Sequence, residues 1–193
     1  MHIILASGSP RRKELLEREG IRFDIIPAAG DEVIRGNNPA EIVRNLSRQK
    51  ALEVAGRLEN ADGPEDFIVL GADTVVSYDG KILGKPASPD EAAVMLNMLN
   101  GEIHQVYTGV TILCVQNGKK TEKVFHECTD VEFRQVSEKT ILDYIATGEP
   151  MDKAGAYAIQ GGWGPHVREI HGDYDNVVGL PVKRVLKELE DLC

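Results

Sequence analysis

The chain has 193 residues, of which 42% are hydrophobic and 27% charged, the length of about one globular domain with enough apolar mass to bury a core. Its 22 Lys and Arg against 31 Asp and Glu leave a formal net charge of −9, which excludes a broad nucleic-acid or anionic-membrane surface, since both need a positive field to displace counterions from phosphates. No stretch approaches the ~18–20 apolar residues of a membrane span, and in MHIILASGSPRR the basic residues follow the apolar run instead of preceding it; a cytoplasmic protein is predicted, with neither membrane nor nucleic-acid polymer as partner.

Residues 2–6, HIILA, predict a strand that breaks at Ser7-Gly8-Ser9-Pro10 and is followed by a helix through Leu15 and Leu16 to Gly20. A second apolar run, 21–27, leads into a polar loop with Asp31 and Glu32, and a long helix runs from Asn38-Pro39 to about Leu58. After a turn-rich break at 60–66, FIVLGADTVV (67–76) predicts a strand, and 75–83 a hairpin around Asp79-Gly80. A helix over 89–99 stops at Asn100-Gly101. Two β-rich runs, 103–115 and 121–133, flank a second hairpin signal at Asn117-Gly118. A helix follows at 138–147, and a Gly-rich segment, 155–164, leads through 177–181 to a final amphipathic helix. Strands alternating with helices and mixed with hairpins predict an α/β fold, a single domain over 1–193 whose mixed central sheet is flanked by helices. Cys114, Cys128 and Cys193 are far apart and in no C-x-x-C spacing, so neither a disulfide framework nor a zinc site is indicated.

Three helix starts carry a cap residue followed by proline. Ser88-Pro89-Asp90-Glu91 and, more weakly, Asn38-Pro39-Ala40-Glu41 place acids where the helix dipole is positive. Ser9-Pro10-Arg11-Arg12-Lys13 places three cations there instead, at a cost of roughly 0.3–1 kcal/mol each when exposed. An anion reverses that sign: free backbone N–H groups, the Ser7 and Ser9 hydroxyls, Gly8 for close approach and paired guanidiniums describe a phosphate site after a strand. The competing reading is a solvated basic turn paired with Glu14 and Glu17 on its own helix. On the phosphate reading the Arg12 charge opposes the helix dipole, so its removal is expected to leave the stability of the anion-free protein unchanged.

Asp73 interrupts an otherwise apolar run, and a buried carboxylate has to be paired, hydrogen-bonded or metal-bound. As a strand-end residue it is a candidate metal ligand or general base, or else a turn-forming cap. Lys50 falls in the apolar stripe of Val43, Leu46 and Val54, where snorkelling is the plain alternative to function. Lys85, in Gly84-Lys85-Pro86, is either aimed by its rigid neighbour or simply solvated. Asp31, Glu32 and Asp73 together make the sparse carboxylate set that Mg²⁺ prefers. His166, His171, Asp173 and Asp175 match no metal motif. Asp152-Lys153 reads as a local ion pair near a turn, and Gln160 as a polar group on a tight backbone, able to read a base edge.

SGSPRRKELL (7–16), GADTVV (71–76), GKP (84–86), GEPMDKAGAYAIQG (148–161) and NVVGLP (176–181) together resemble the Maf proteins, nucleoside triphosphate pyrophosphatases. The resemblance implies an elongated α/β fold similar to the inosine triphosphate pyrophosphatases, usually a homodimer, with its active site in a cleft crossing the sheet. It implies hydrolysis between the α and β phosphates, giving a nucleoside monophosphate and pyrophosphate, with Mg²⁺ or Mn²⁺ as cofactor. By position, Asp73 resembles the catalytic base and a metal ligand, Glu32 its acidic partner at the metal, and Lys50 and Lys85 the phosphate-handling lysines. Ser7, Ser9, Arg11 and Arg12 resemble the triphosphate loop. Arg12, Thr74 and Gln160 match the positions that mark the branch acting on dTTP, UTP and modified pyrimidine nucleotides. Two alternatives stay open: a 7-methyl-GTP pyrophosphatase, and a nucleotide-binding regulator of septum formation. The stretch Gly162-Trp163-Gly164-Pro165-His166 departs from the small and apolar residues usual in the family, as does Asp175 before Asn176.

Overall fold

The computed structural model describes residues 1–60 and 65–192; part of the predicted 60–66 break, and Cys193, lie outside the described residues. In chain order the elements are β1 (His2–Leu5), α1 (Pro10–Arg18), β2 (Asp24–Ile25), α2 (Pro39–Glu59), β3 (Phe67–Tyr78), β4 (Lys81–Leu83), α3 (Pro89–Leu99), β5 (Ile103–Gln116), β6 (Lys119–Phe133), α4 (Glu138–Ala146), β7 (Val167–His171), α5 (Tyr174–Val178) and α6 (Val182–Leu192). The strands pair in the order β2-β1-β3-β5-β6-β7, with β4 on β3. β1 runs parallel to β2 and β3, whereas β3–β4 and β6–β7 are antiparallel, so the sheet is mixed, as predicted. No helix among the described residues is long and apolar enough to cross a membrane.

Local chemistry accounts for most boundaries. The Asn38 and Ser88 side chains accept from the Glu41 and Glu91 backbone N–H groups, at 2.9 and 3.2 Å, and proline occupies the first turn of α2 and α3. Both hairpin tips carry two successive left-handed residues, Asp79-Gly80 and Asn117-Gly118, the backbone that a two-residue turn between twisted strands requires. Two elements were not predicted. β7 (VREIH) has mostly exposed or half-buried residues and is a strand because it pairs with β6, a tertiary event that its weak alternation does not announce. α5 has five residues, too few to nucleate a helix alone.

The described chain forms two compact units. The first comprises Met1–Asp73, Thr108–Glu127 and Gly179–Cys193. Its core is mainly aliphatic, with Ile4, Val54, Val69, Leu113 and Val115 packed around Phe67. Within it α2 lies unusually close to the strands: a Cβ on Gly71 would run into the Ser47 carbonyl oxygen, and one on Gly109 into the Val43 carbonyl oxygen. Val43 and Ser47 are one helical turn apart, so the two glycines fix which face of α2 is turned inward. The second unit comprises Thr74–Tyr107 and Cys128–Val178. Its core joins Leu96, Leu99 and Ile141 to Phe133, Tyr157 and Trp163.

Candidate functional site

In the first unit, Leu5 of β1 stands opposite Leu70 of β3, and the Ala6 N–H donates to the Leu70 carbonyl at 2.8 Å. Because the two strands are parallel, β1 gives way to the 7–10 turn beside the point where β3 continues to Gly71 and Asp73. Ligands in open α/β sheets gather at such carboxyl ends. Asp73 was expected at a strand end, and the structure corrects this: it lies in the middle of β3, with its side chain 13% exposed.

The 7–12 turn is more tightly tied than a solvated basic turn. Ser9 occupies the N-cap position, but its side chain makes no cap hydrogen bond. The Ser7 hydroxyl oxygen accepts from the Ser9 N–H at 3.3 Å and from Arg12 Nη1 at 3.0 Å, and Arg12 Nε donates to the Gly179 carbonyl at 2.8 Å. Burial pushes the pKa of the Arg12 guanidinium below its ordinary value; Asp73 and Glu32 pull it back up, while Arg11 lowers it. A guanidinium remains charged under any such shift. Arg12 is therefore a buried cation that joins two chain segments, and the expectation that its removal is harmless to the nucleotide-free fold is corrected. Arg11 is half-buried. Lys13 reaches Glu17 at 3.6 Å, the helical pair that the alternative reading expected.

Lys50 is the hub of the acidic side. Its Nζ lies 2.5 Å from Asp73 Oδ1 and 2.9 Å from Glu32 Oε1, which disposes of snorkelling. The close seating of α2 on Gly71 explains the aim: Ser47 and Lys50 are neighbours on one helix face, and Gly71 and Asp73 share one face of β3. Glu32, on a long exposed loop, is placed from α2 as well. Glu53 accepts from the Ala29 and Gly30 N–H groups at 2.9 and 3.1 Å, and Gln49 both accepts from the Val33 N–H (3.0 Å) and donates to the Val33 carbonyl (2.7 Å). Those backbone donors hold the Glu53 carboxyl below its ordinary pKa. Gln49 and Glu53 were not foreseen, because polar residues on a helix look the same whether or not a loop folds onto them; the isolated glycine in GADT was a readable signal of close backbone approach. Asp31 is exposed.

Two carboxylates drawn to a single ammonium form an oxygen pair that also suits a hard divalent cation, which prefers oxygen ligands and keeps positions for water. Asp73 and Glu32 thus fit a divalent ion by donor type and by their convergence on one cation.

In the second unit, Thr74 is half-buried on β3, Lys85 is exposed after β4, and Gln160 is exposed on a turn closed by the Gly161 N–H to the Ala158 carbonyl at 3.2 Å. The Gly84 carbonyl next to Lys85 accepts from the Gly155 N–H at 3.0 Å. Lys153 pairs with Asp152, as expected, and its Nζ also donates to the Glu149 carbonyl at 3.2 Å. The unusual 162–166 stretch is explained by packing: Trp163 is fully buried, with its ring centroid 5.6 Å from Phe133, 5.0 Å from Tyr144 and 5.0 Å from His166. His171 groups with Glu132 and Glu169 on the strand pair β6–β7, where Arg168 already engages Glu132 at 2.9 Å. Cys114 is buried and Cys128 exposed, and they form no disulfide with each other.

Compared with known proteins, residues 2–192 match the family described as Maf-like protein. The dTTP/UTP pyrophosphatase of Agathobacter rectalis is 50% identical over 198 residues, covering 98% of this chain and 97% of that protein. A Bacillus cereus protein of the same name is 49% identical and one from Bacillus thuringiensis 48%, each covering 97% of this chain and 94% of its own length.

Proposed function

The chain belongs to the Maf family, and on that premise we propose that it hydrolyses dTTP and UTP, with modified pyrimidine nucleotides as further substrates, to the nucleoside monophosphate and pyrophosphate. The observation that carries this reading is the meeting of Lys50, Asp73 and Glu32 in the same unit as a buried Arg12 whose charge senses both carboxylates.

Water attacks phosphorus, the anhydride bond between the α and β phosphates breaks, and pyrophosphate leaves with the bridging oxygen. Asp73 orients the attacking water and accepts its proton. Arg11 and Arg12 neutralise charge on the triphosphate, and the Ser7 and Ser9 hydroxyls complete its hydrogen bonding. Lys50 keeps Asp73 and Glu32 together in the nucleotide-free protein, and during the reaction its ammonium stabilises phosphate charge. A divalent cation held by Asp73 and Glu32, Mg²⁺ or Mn²⁺, supplies neutralisation of the phosphate oxygens when bound. On a chain of net charge −9, this local concentration of cations is what admits an anionic substrate. Lys85 as a further phosphate-handling residue, and Thr74 and Gln160 as base-selecting residues, enter on the family motifs alone. We take the protein to be cytoplasmic, and a homodimer with a single Maf domain over 1–193, as the family resemblance implies.

A nucleotide panel tests the reading. With Mg²⁺, dTTP and UTP are expected to give pyrophosphate over many turnovers, with kcat/KM at least about tenfold above CTP, GTP, ATP and 7-methyl-GTP. A maximum at 7-methyl-GTP would move the chain to the sister activity, and binding without turnover would make it a nucleotide-binding regulator.

A further inference from the structure

The turn that carries Gln160 is held at both ends by two side chains: Tyr144, outside the family motifs, and Glu149, which stands within GEPMDKAGAYAIQG (148–161) but takes no role from the resemblance. On one side, the Tyr144 hydroxyl oxygen accepts from the Ala158 N–H at 3.2 Å. On the other, Glu149 Oε2 accepts from the Gly162 N–H at 2.9 Å. Burial, and after it the neighbouring Glu149 carboxylate, push the pKa of the Tyr144 hydroxyl up, so the two side chains that hold the turn also sense each other. The support is rigid. Tyr144 is buried in the last turns of α4 and packs 5.0 Å from the buried Trp163. Glu149 follows Gly148 in left-handed backbone, and its N–H is caught by the Thr147 hydroxyl at 3.2 Å. The fit is close: a Cβ on Gly161 would displace the Glu149 carboxylate, and one on Gly162 would press to 3.3 Å on the Tyr144 ring.

Gln160 itself is exposed, so packing of its own side chain does not fix it. A carboxamide discriminates bases by where it presents one donor face and one acceptor face, and such hydrogen bonds decay within a few tenths of an ångström and some tens of degrees. Its aim is therefore only as good as the backbone on either side of it. We infer that Tyr144 and Glu149 are positioning residues that clamp the 158–162 turn and thereby set the preference for uracil and thymine over cytosine. This rests on the reading that Gln160 recognises the base.

The test uses the full-length protein with Mg²⁺ and compares dTTP, UTP and CTP for Tyr144→Phe, Glu149→Ala, Gln160→Ala and the double variant Tyr144→Phe/Gln160→Ala. Tyr144→Phe keeps the ring and its packing and removes only the hydroxyl that accepts from the Ala158 N–H. It is expected to raise KM for dTTP and UTP roughly 5–30-fold, to leave kcat within about threefold, and to narrow the UTP-to-CTP ratio of kcat/KM. Glu149→Ala is expected to do the same, with Glu149→Gln, which keeps an acceptor oxygen, restoring part of the loss. Amide exchange of Ala158 and Gly162 is expected to speed up in Tyr144→Phe without nucleotide. In the double variant, Tyr144→Phe is expected to add nothing to Gln160→Ala. If Gln160→Ala leaves the UTP-to-CTP ratio intact, base recognition by Gln160 fails and takes the clamp with it. If Gln160→Ala collapses the ratio while Tyr144→Phe and Glu149→Ala preserve it, the clamp alone is overturned. Additive effects in the double variant overturn it too, since Tyr144 would then act elsewhere. Should Glu149→Ala not fold, Tyr144→Phe decides by itself.

Discussion

In the first unit, charged side chains are aimed by regular elements: a parallel strand pair brings the 7–10 turn beside β3, and α2, seated on Gly71 and Gly109, delivers Lys50 to Asp73. In the second, the exposed Gln160 sits in a turn and not on a strand or helix, and that turn is held by a buried hydroxyl, a carboxylate and the close fit of Gly161 and Gly162. The contrast follows from what each group needs. A buried charge demands a charged partner within contact distance, and rigid elements converging on one point supply it. A neutral, exposed amide demands only that its backbone stay still, which hydrogen bonds to one buried and one half-buried side chain achieve. The cores match this division, mainly aliphatic side chains around strands and helix in one unit and a cluster of rings in the other.

The largest break in this comparison is expected from Asp73→Asn. It keeps the size of the side chain and removes the proton acceptor, so pyrophosphate release with dTTP should fall by about 10²–10⁴-fold, while fluorescence of the buried Trp163, the chain's one tryptophan, should be unchanged. Near-normal turnover would remove Asp73 from catalysis and reduce the Lys50 hub to a structural ion pair. Arg12→Ala comes next. The Gly179 carbonyl and the Ser7 hydroxyl each lose a bond from a buried guanidinium, which is expected to cost about 1–3 kcal/mol and to lower the melting temperature of the nucleotide-free protein by roughly 2–10 °C, together with a higher KM. An unchanged melting temperature would mean that Arg12 serves the nucleotide alone and that the first unit tolerates an open turn.

The smallest effect concerns the loop bearing Glu32. The Glu53 carboxyl has its pKa lowered in the fold by the Ala29 and Gly30 N–H groups. Its stabilising contribution is therefore complete above the unfolded value, near 4.5, and is lost as pH falls through the lower folded value. Amide exchange at Ala29 and Gly30, corrected for its intrinsic pH dependence, should accelerate relative to the rest of the chain below about pH 4.5 in the natural protein. In Glu53→Gln that acid-dependent acceleration should be absent. Equal acid sensitivity in the two proteins would show that Gln49 alone tethers the loop.

Legibility divides along the same line. The three proline-started helices, both left-handed hairpin tips, the apolar strand around Asp73 and the basic turn after β1 could all be read from residue order, because each depends on neighbours a few positions away. Lys50 was legible as an oddity in an apolar stripe, but its partners Asp73 and Glu32, 23 and 18 residues away in sequence, were not legible from the pattern alone. Arg12 was misjudged for the same reason. Its charge is local, whereas its burial depends on Gly179, 167 positions along the chain. β7 was missed because its strand character is borrowed from β6.

Residue order by itself determined the alternation of strands and helices, the turns, and the supply of acids and bases for phosphate chemistry, since backbone preference, capping and hydrophobic period act over a few residues. Only the tertiary structure decided which of those charges meet, that Arg12 is buried, and that Tyr144 and Glu149 hold the Gln160 turn. Such contacts arise when elements distant in sequence pack at fixed register, and the energy of a charge or a hydrogen bond depends on what lies within a few ångströms in space, whatever its distance along the chain.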